Sequence, residues 1–297
     1  MFDTKTTAAG LSIFSNVSLV LLKLVVGAFT GSISIISEAV HSGIDLLASV
    51  MTFFSVRVSD RPPDSEHPYG HGKIENITSL VEALLIVVAA VYIIYEAVHR
   101  VKTVTSLQAV PLGLGVMFLS AGVNFLVTRK LFFVARSAES AALEADAHHL
   151  RLDIYTSLGV LVGLGFTHVF KMPVLDPILA ILIAMFITKI AWNITKSSLG
   201  SIVDQSLPEE ELVTIRSIIK GADERIKGFH RLRTRKAGAH RHVDLHIQVD
   251  KNLTVCESHI IANQLEEAIC NSLPRCRVVV HIEPEKEKHT EMPASIR

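Results

Sequence analysis

Six stretches of the chain are apolar almost without interruption, at about residues 11–29, 33–54, 77–95, 110–127, 154–170 and 174–192. Each approaches the roughly 20 residues that a helix needs to cross the hydrocarbon of a bilayer. The pattern predicts an α-helical membrane protein with six transmembrane helices over residues 1–206. Beyond that point the long runs stop and two shorter periods alternate. EEELVTIRSIIKGA and TVCESHIIANQLEEAICNSL carry helical apolar spacing, whereas FHRLRTR, HVDLHIQV and RVVVHIE read as strands. In the middle strand Val243, Leu245, Ile247 and Val249 alternate with His242, Asp244, His246 and Gln248, the pattern of a sheet covered by helices on one face. Residues 207–284 are therefore predicted to form a small α+β domain in the order αββαβ, of ferredoxin-like type. The polar stretch 285–297 is predicted to be disordered.

Composition sharpens this picture. Hydrophobic residues make up 49% of 297 and the mean hydropathy is +0.41, too apolar for an ordinary soluble domain. The first run lacks an obvious small-residue cleavage site, and its short GS-containing turn into the second run reads as a hairpin between two spans. Its Lys23 is expected to snorkel toward the end of the span. The net charge of +0 implies no general attraction to nucleic acid. Basic residues orient the spans: Arg57, Arg61 and Lys73 lie between runs two and three, and Arg129, Lys130 and Arg136 between four and five. Those loops and both termini are predicted to be cytoplasmic, with the chain a multi-pass protein of the inner (plasma) membrane. Cys256, Cys270 and Cys276 have no CxxC spacing and fall in the tail, which this topology places in the reducing cytosol, so no disulfide framework is expected.

The second run contains HSGIDLLAS, with His41 and Asp45 four residues apart on one helical face and Ser37 and Ser49 extending the stripe. An unpartnered aspartate costs a few kcal/mol in hydrocarbon, so it faces a partner, a cavity or an ion. The fifth run opens HHLRLDIYTS and repeats the spacing with His149 and Asp153. Two imidazoles and two carboxylates on two spans make a four-ligand set suited to Zn²⁺ and neutral once a divalent ion is bound. Each pair could instead be a structural interhelix hydrogen bond. The neighbouring His148 points about 100° away and is read as lining a cavity. Gly159 and Gly163 form a GxxxG that admits a close helix neighbour. Elsewhere, DSEHPYGH places Asp64, His67 and His71 within eight residues of a Pro- and Gly-rich loop, a chelating set or an ordinary turn. In the tail, His246 lies on the polar face of one strand, and His281 and Glu283 share a face of another.

GSISIISEAVHSGIDLLAS, DSEHPYGHGKIE, ALEADAHHLRLD, DPILAILIA and GFHRLRTRKAG together resemble the cation diffusion facilitator family, especially its bacterial zinc and iron efflux members. The resemblance implies a homodimer that exports divalent transition metals against protons, and no enzymatic activity. It implies a transport site on His41, Asp45, His149 and Asp153, in which histidine at the first position goes with zinc and cadmium as a plausible passenger. A second site is implied on Asp64, His67 and His71. A third, in the tail, involves His230, His246, His259, His281 and Glu283. Lys73 and Asp204 match a charge pair that in relatives ties the membrane part to the tail. The expected function is proton-coupled export of Zn²⁺ from the cytoplasm by alternating access, with a membrane-bound metal sensor as the alternative. A metalloprotease is disfavoured because HExxH is absent. Glu38, Glu82 and Asn124 lie inside spans without an assigned role.

Overall fold

The computed structural model describes residues 4–30, 33–102, 111–170 and 175–285, which divide into two compact units, Met1–Ile202 and Val203–Arg297. The expected disorder of 285–297 lies, from residue 286 on, outside the described residues. The first unit is made of six long helices: α1 (Lys5–Thr30), α2 (Ile33–Ser59), α3 (Lys73–Lys102), α4 (Pro111–Ala138), α5 (Ala141–Phe170) and α6 (Leu175–Ile202). Among the described residues, α1, α2, α3, α4 and α6 each contain a segment long and apolar enough to cross a membrane. The 30-residue α5 is the sixth helix of the unit. Large apolar side chains such as Phe14, Leu21, Phe54, Tyr92, Leu126 and Trp192 face outward. That is the inverse of a water-soluble bundle and fits a hydrocarbon solvent.

The helices meet through small residues, as expected where lipid offers no hydrophobic incentive to associate. The packing runs mainly α1 on α2, α3 on α6 and α4 on α5. One buried cluster joins Ala8, Ala9, Val56, Leu131, Val134, Ala142, Leu143, Ala147 and Leu150 from α1, α2, α4 and α5. A second joins Ile86, Ala90, Leu152, Ile187 and Ala191 from α3, α5 and α6. Because α5 contributes to both, its first turns are held between the two halves of the unit. At Gly159 an added Cβ would lie 2.1 Å from Ile183 Cδ1, so a larger residue there would require the Ile183 side chain of α6 to shift.

The expected snorkelling of Lys23 is not observed. Its side chain is buried and Nζ donates to Ser42 Oγ at 2.7 Å, inside the α1–α2 packing. Lys23 sits too far from the end of its helix for a four-carbon stem to compete with a hydroxyl acceptor on the neighbouring helix.

The second unit follows the predicted order, α7 (Glu209–Ala222), β1 (Ile226–Ala237), β2 (His240–Val249), α8 (Val255–Ser272) and β3 (Cys276–Pro284). The sheet order is β1-β2-β3, with β1 antiparallel and β3 parallel to the central β2. The parallel pair requires a crossover, which α8 supplies. Its start is fixed by a capping box: Thr254 Oγ1 accepts from Glu257 N, and the Glu257 carboxylate accepts from Thr254 N at 2.8 Å. These bonds hold the Glu257 carboxyl below its usual range, the backbone N–H of Thr254 contributing most. Val243, Leu245, Ile247 and Val249 are buried with Ile215 and Ile219 of α7 and Ile261, Leu265 and Ile269 of α8. Ile247→Ala is expected to destabilise this unit by about 2–5 kcal/mol, read as a lower urea midpoint for a 207–285 fragment.

Two contacts were not legible in the chain. Arg241 forms a two-pronged pair with Glu211 of α7, Nε to Oε2 at 2.7 Å and Nη2 to Oε1 at 2.9 Å, and Nη1 donates to Pro274 O at 3.1 Å. Cys270 Sγ lies 3.3 Å from Cys276 O, and burial pushes the Cys276 thiol up to about 12, which keeps it protonated and unreactive. Cys256, Cys270 and Cys276 are free thiols.

Candidate metal centre

On α2, positions 41, 45 and 49 recur at one helical turn, so His41, Asp45 and Ser49 share a face. α5 packs against that face and brings its own pair. One ligand atom each from His41, Asp45 and Asp153 lie within 4.8 Å of one another. The fourth predicted residue joins them through the carboxylate, with His149 Nε2 at 2.9 Å from Asp45 Oδ1. Asp45 is 4% and His149 8% exposed, whereas His41 opens outward, so the cluster has a dry side and an accessible side. His149 Nδ1 is buried without a hydrogen-bond partner. The predicted seam continues at Ser49, whose hydroxyl donates to Asp146 Oδ1 at 3.1 Å and accepts from Asn16 Nδ2 at 2.7 Å. His148 faces away from this cluster. It packs edge-on to Phe132 at 4.9 Å and bonds Arg151 Nη2 at 2.9 Å, so its ring is occupied by protein instead of lining a cavity.

The loop between α2 and α3 gathers the second predicted set, with ligand atoms of Asp64, His67 and His71 within 4.8 Å of one another. His71 Nε2 is 3.2 Å and His67 Nδ1 3.5 Å from the Asp64 carboxylate. The loop folds around that carboxylate, because Asp64 Oδ1 accepts from the backbone N–H of His67 at 2.7 Å and of Glu66 at 3.0 Å. Those bonds, the one from His67 foremost, hold the Asp64 carboxyl below its usual range. Gly70, at φ +88°, supplies the turn that returns His71 to the cluster.

In the second unit, His230, His246 and His281 are cross-strand partners in one row across all three strands. Their rings stand 5.2 and 4.5 Å apart. Glu283, two residues along β3 on the same face, places Oε1 2.8 Å from His246 Nδ1 and Oε2 3.4 Å from His230 Nε2. His281 Nε2 is 3.8 Å from Glu283 Oε1. The row needs an irregularity that uniform alternation does not reveal. Between His230 and Arg233 the register shifts by one residue and Arg231 takes φ +51°, which turns both Phe229 and Leu232 toward the core while leaving His230 on the opposite face. His259 is not brought to this row within the chain. It is exposed on α8, which covers the other face of the sheet, and bonds Asn263 Nδ2 at 3.3 Å.

Lys73 Nζ donates to Ile202 O at 3.1 Å, tying the start of α3 to the end of α6. Asp204 has φ +59° and lies 3.4 Å from Arg235 Nη1 within the second unit. The buried residue overlooked in the chain is Asp146, hidden in the run ALEADAHHL by its proximity to the two histidines. Its signal was available: it stands one turn before His149 and is a second carboxylate, with Asp153, on the same face of α5.

Residues 10–203 match the family described as the cation efflux transmembrane domain, and residues 207–285 the cation efflux protein, cytoplasmic domain. The chain is 33% identical over 276 residues to the uncharacterized transporter sll1263 of Synechocystis sp., covering 93% of this chain and 89% of that protein. It is 31% identical over 267 residues to the cation-efflux pump FieF of Klebsiella pneumoniae, covering 90% and 88%. A solved structure described as a putative zinc transporter, CzrB, shares 32% identity over 27% of this chain and 100% of that one, with a TM-score of 0.27. With both units matched in order along the chain, the protein belongs to the cation diffusion facilitator family of membrane transporters.

Proposed function

We propose that this chain is an antiporter that exports Zn²⁺ from the cytoplasm in exchange for protons, by alternating access, from a site made of His41, Asp45, His149 and Asp153. The observation that carries this reading is the convergence of His41, Asp45 and Asp153 with His149 Nε2 on the Asp45 carboxylate. Two imidazoles and two carboxylates match the ligand preference and charge of Zn²⁺. The His149–Asp45 bond supplies the exchange chemistry. The same Nε2 either carries a proton directed at Asp45 or offers its lone pair to a metal, so cation and proton compete for one atom. Protons arriving from the more acidic side then displace the metal there, and the inward proton gradient drives export.

The clusters on Asp64, His67 and His71 and on His230, His246, His281 and Glu283 are proposed as auxiliary metal sites. The second unit is proposed to pair with its copy in a cytoplasmic homodimer, with both termini cytoplasmic. FieF is called a cation-efflux pump, and CzrB a putative zinc transporter, which agrees with this assignment.

The test is metal-by-metal uptake into proteoliposomes under an imposed pH gradient. Zn²⁺ is expected to move only when the gradient is present, ahead of Mn²⁺ and Fe²⁺. His41→Asp is expected to narrow that preference about 10-fold or more, because a carboxylate hardens the ligand set. Saturable binding without translocation would identify a sensor and overturn the transport reading.

A further inference from the structure

Below the metal cluster the polar face of α2 continues for another turn, and a carboxylate from a neighbouring helix meets each step. Asp146 of α5 accepts from Ser49 Oγ, and Glu82 of α3 accepts through Oε1 from Thr52 Oγ1. Ser49 has a single O–H, which it gives to Asp146, so the contact of 2.9 Å with Ser12 Oγ is a bond donated by Ser12. Both acids are 0% exposed, yet Glu82 Oε2 and Asp146 Oδ2 have no hydrogen-bond partner. Among the described residues neither acid forms an ion pair with a lysine or arginine.

The titratable groups that act on Glu82 are Asp146 and His149 of α5, and Asp146 in turn feels His149 and, from α2, Asp45. α1 contributes the neutral Ser12 and Asn16, α4 the neutral buried Asn124 and Thr128, and α6 the neutral Ser198, bonded to Ser79. His149 is already engaged with Asp45. In the metal-free protein the cluster itself holds the carboxylates of Asp45 and Asp153, so it has no positive charge to spare for the second pair of acids. Two ionised carboxylates buried beside hydroxyls alone would cost several kcal/mol each, and the ordinary remedy is a proton.

We propose that Glu82 and Asp146 form a proton-binding site, separate from the four-residue metal cluster, which holds a proton in the metal-free protein and gives it up when a divalent cation occupies that cluster. The two anchors, Ser49 and Thr52, lie four and seven residues beyond Asp45 on α2, so the charge of an arriving ion reaches the pair through a dry interior where screening is weak. As the ion arrives, the O–H of the carboxylic acid breaks, the proton passes to water and a carboxylate remains, and no bond to the metal is made by either acid. The coupling is reciprocal: a protonated pair weakens cation binding and a bound cation weakens proton binding. The release step rests on the proposed transport reading, whereas the holding of a proton does not.

Infrared spectroscopy on the full chain in detergent separates the two. Metal-free protein at pH 7 is expected to show the C=O stretch of a buried protonated carboxyl, and Glu82→Gln or Asp146→Asn is expected to remove or reduce it. Both variants keep the shape of the side chain, and the wild-type spectrum is decisive by itself if either fails to fold. Adding Zn²⁺ is expected to diminish the band, with about one proton fewer released per zinc bound in Glu82→Gln than in wild type. The absence of the band from wild type, or its full survival in both variants, overturns the proton site. A band present in wild type that zinc leaves unchanged while calorimetry shows binding overturns the release step. A band with no zinc binding at all overturns the transport reading and leaves the proton site supported.

Discussion

Asp45→Asn and Asp153→Asn are each expected to reduce proton-driven zinc flux by more than about 100-fold while leaving a monodisperse, folded protein. The lower bound follows from metal sites in which removing even an outer-shell partner costs about 10–100-fold, whereas these residues are proposed to touch the ion. Charge makes the loss larger. With both carboxylates a bound divalent ion is neutralised, and with one it keeps a unit charge inside a region where Asp45 is almost wholly buried. Asparagine preserves volume and leaves a hydrogen-bonding group facing His149, so the helices retain their packing. Flux within a few-fold of wild type in either variant removes the four-ligand site.

Zn²⁺ is expected to raise the melting temperature of the isolated 207–285 fragment by roughly 10 °C or more at a hundredfold excess over its dissociation constant. A ligand bound only by the folded state contributes about 2.7 kcal/mol at that excess. In a domain of this size each kcal/mol moves the midpoint by about 4–8 °C. The fragment has its own core, so it is a fair subject for the measurement. His246→Ala combined with His281→Ala is expected to abolish most of the shift, since His246 is the central member of the row and bonds Glu283 directly. The same double variant in the full chain is expected to transport zinc with an altered zinc dependence if the tail regulates the membrane unit. No calorimetric zinc uptake by the wild-type fragment at pH 7 would eliminate this centre.

The sequence by itself determined the long helices and the αββαβ tail, because hydrophobic periodicity is a local property that bilayer thickness or sheet pleat translates directly into structure. It also exposed both HxxxD pairs, since a charged group in an apolar run stands out against its surroundings. Only the tertiary structure decided where those groups meet. The bond from His149 to Asp45 spans 104 residues and depends on α5 packing against α2. The row His230, His246 and His281 likewise depends on register, and on a bulge at Arg231 that no alternation of side chains announces. Lys23 shows the limit most plainly, because a basic residue in a span can reach for water or for a hydroxyl, and the distance to Ser42 on a neighbouring helix settles the choice. In the chain Glu82 stands as a lone acid in an apolar run, whereas Asp146 is masked by Glu144 and the two histidines beside it. Their shared burial along one face of α2 arises from three helices brought together, so its consequence for proton binding is a property of the packing.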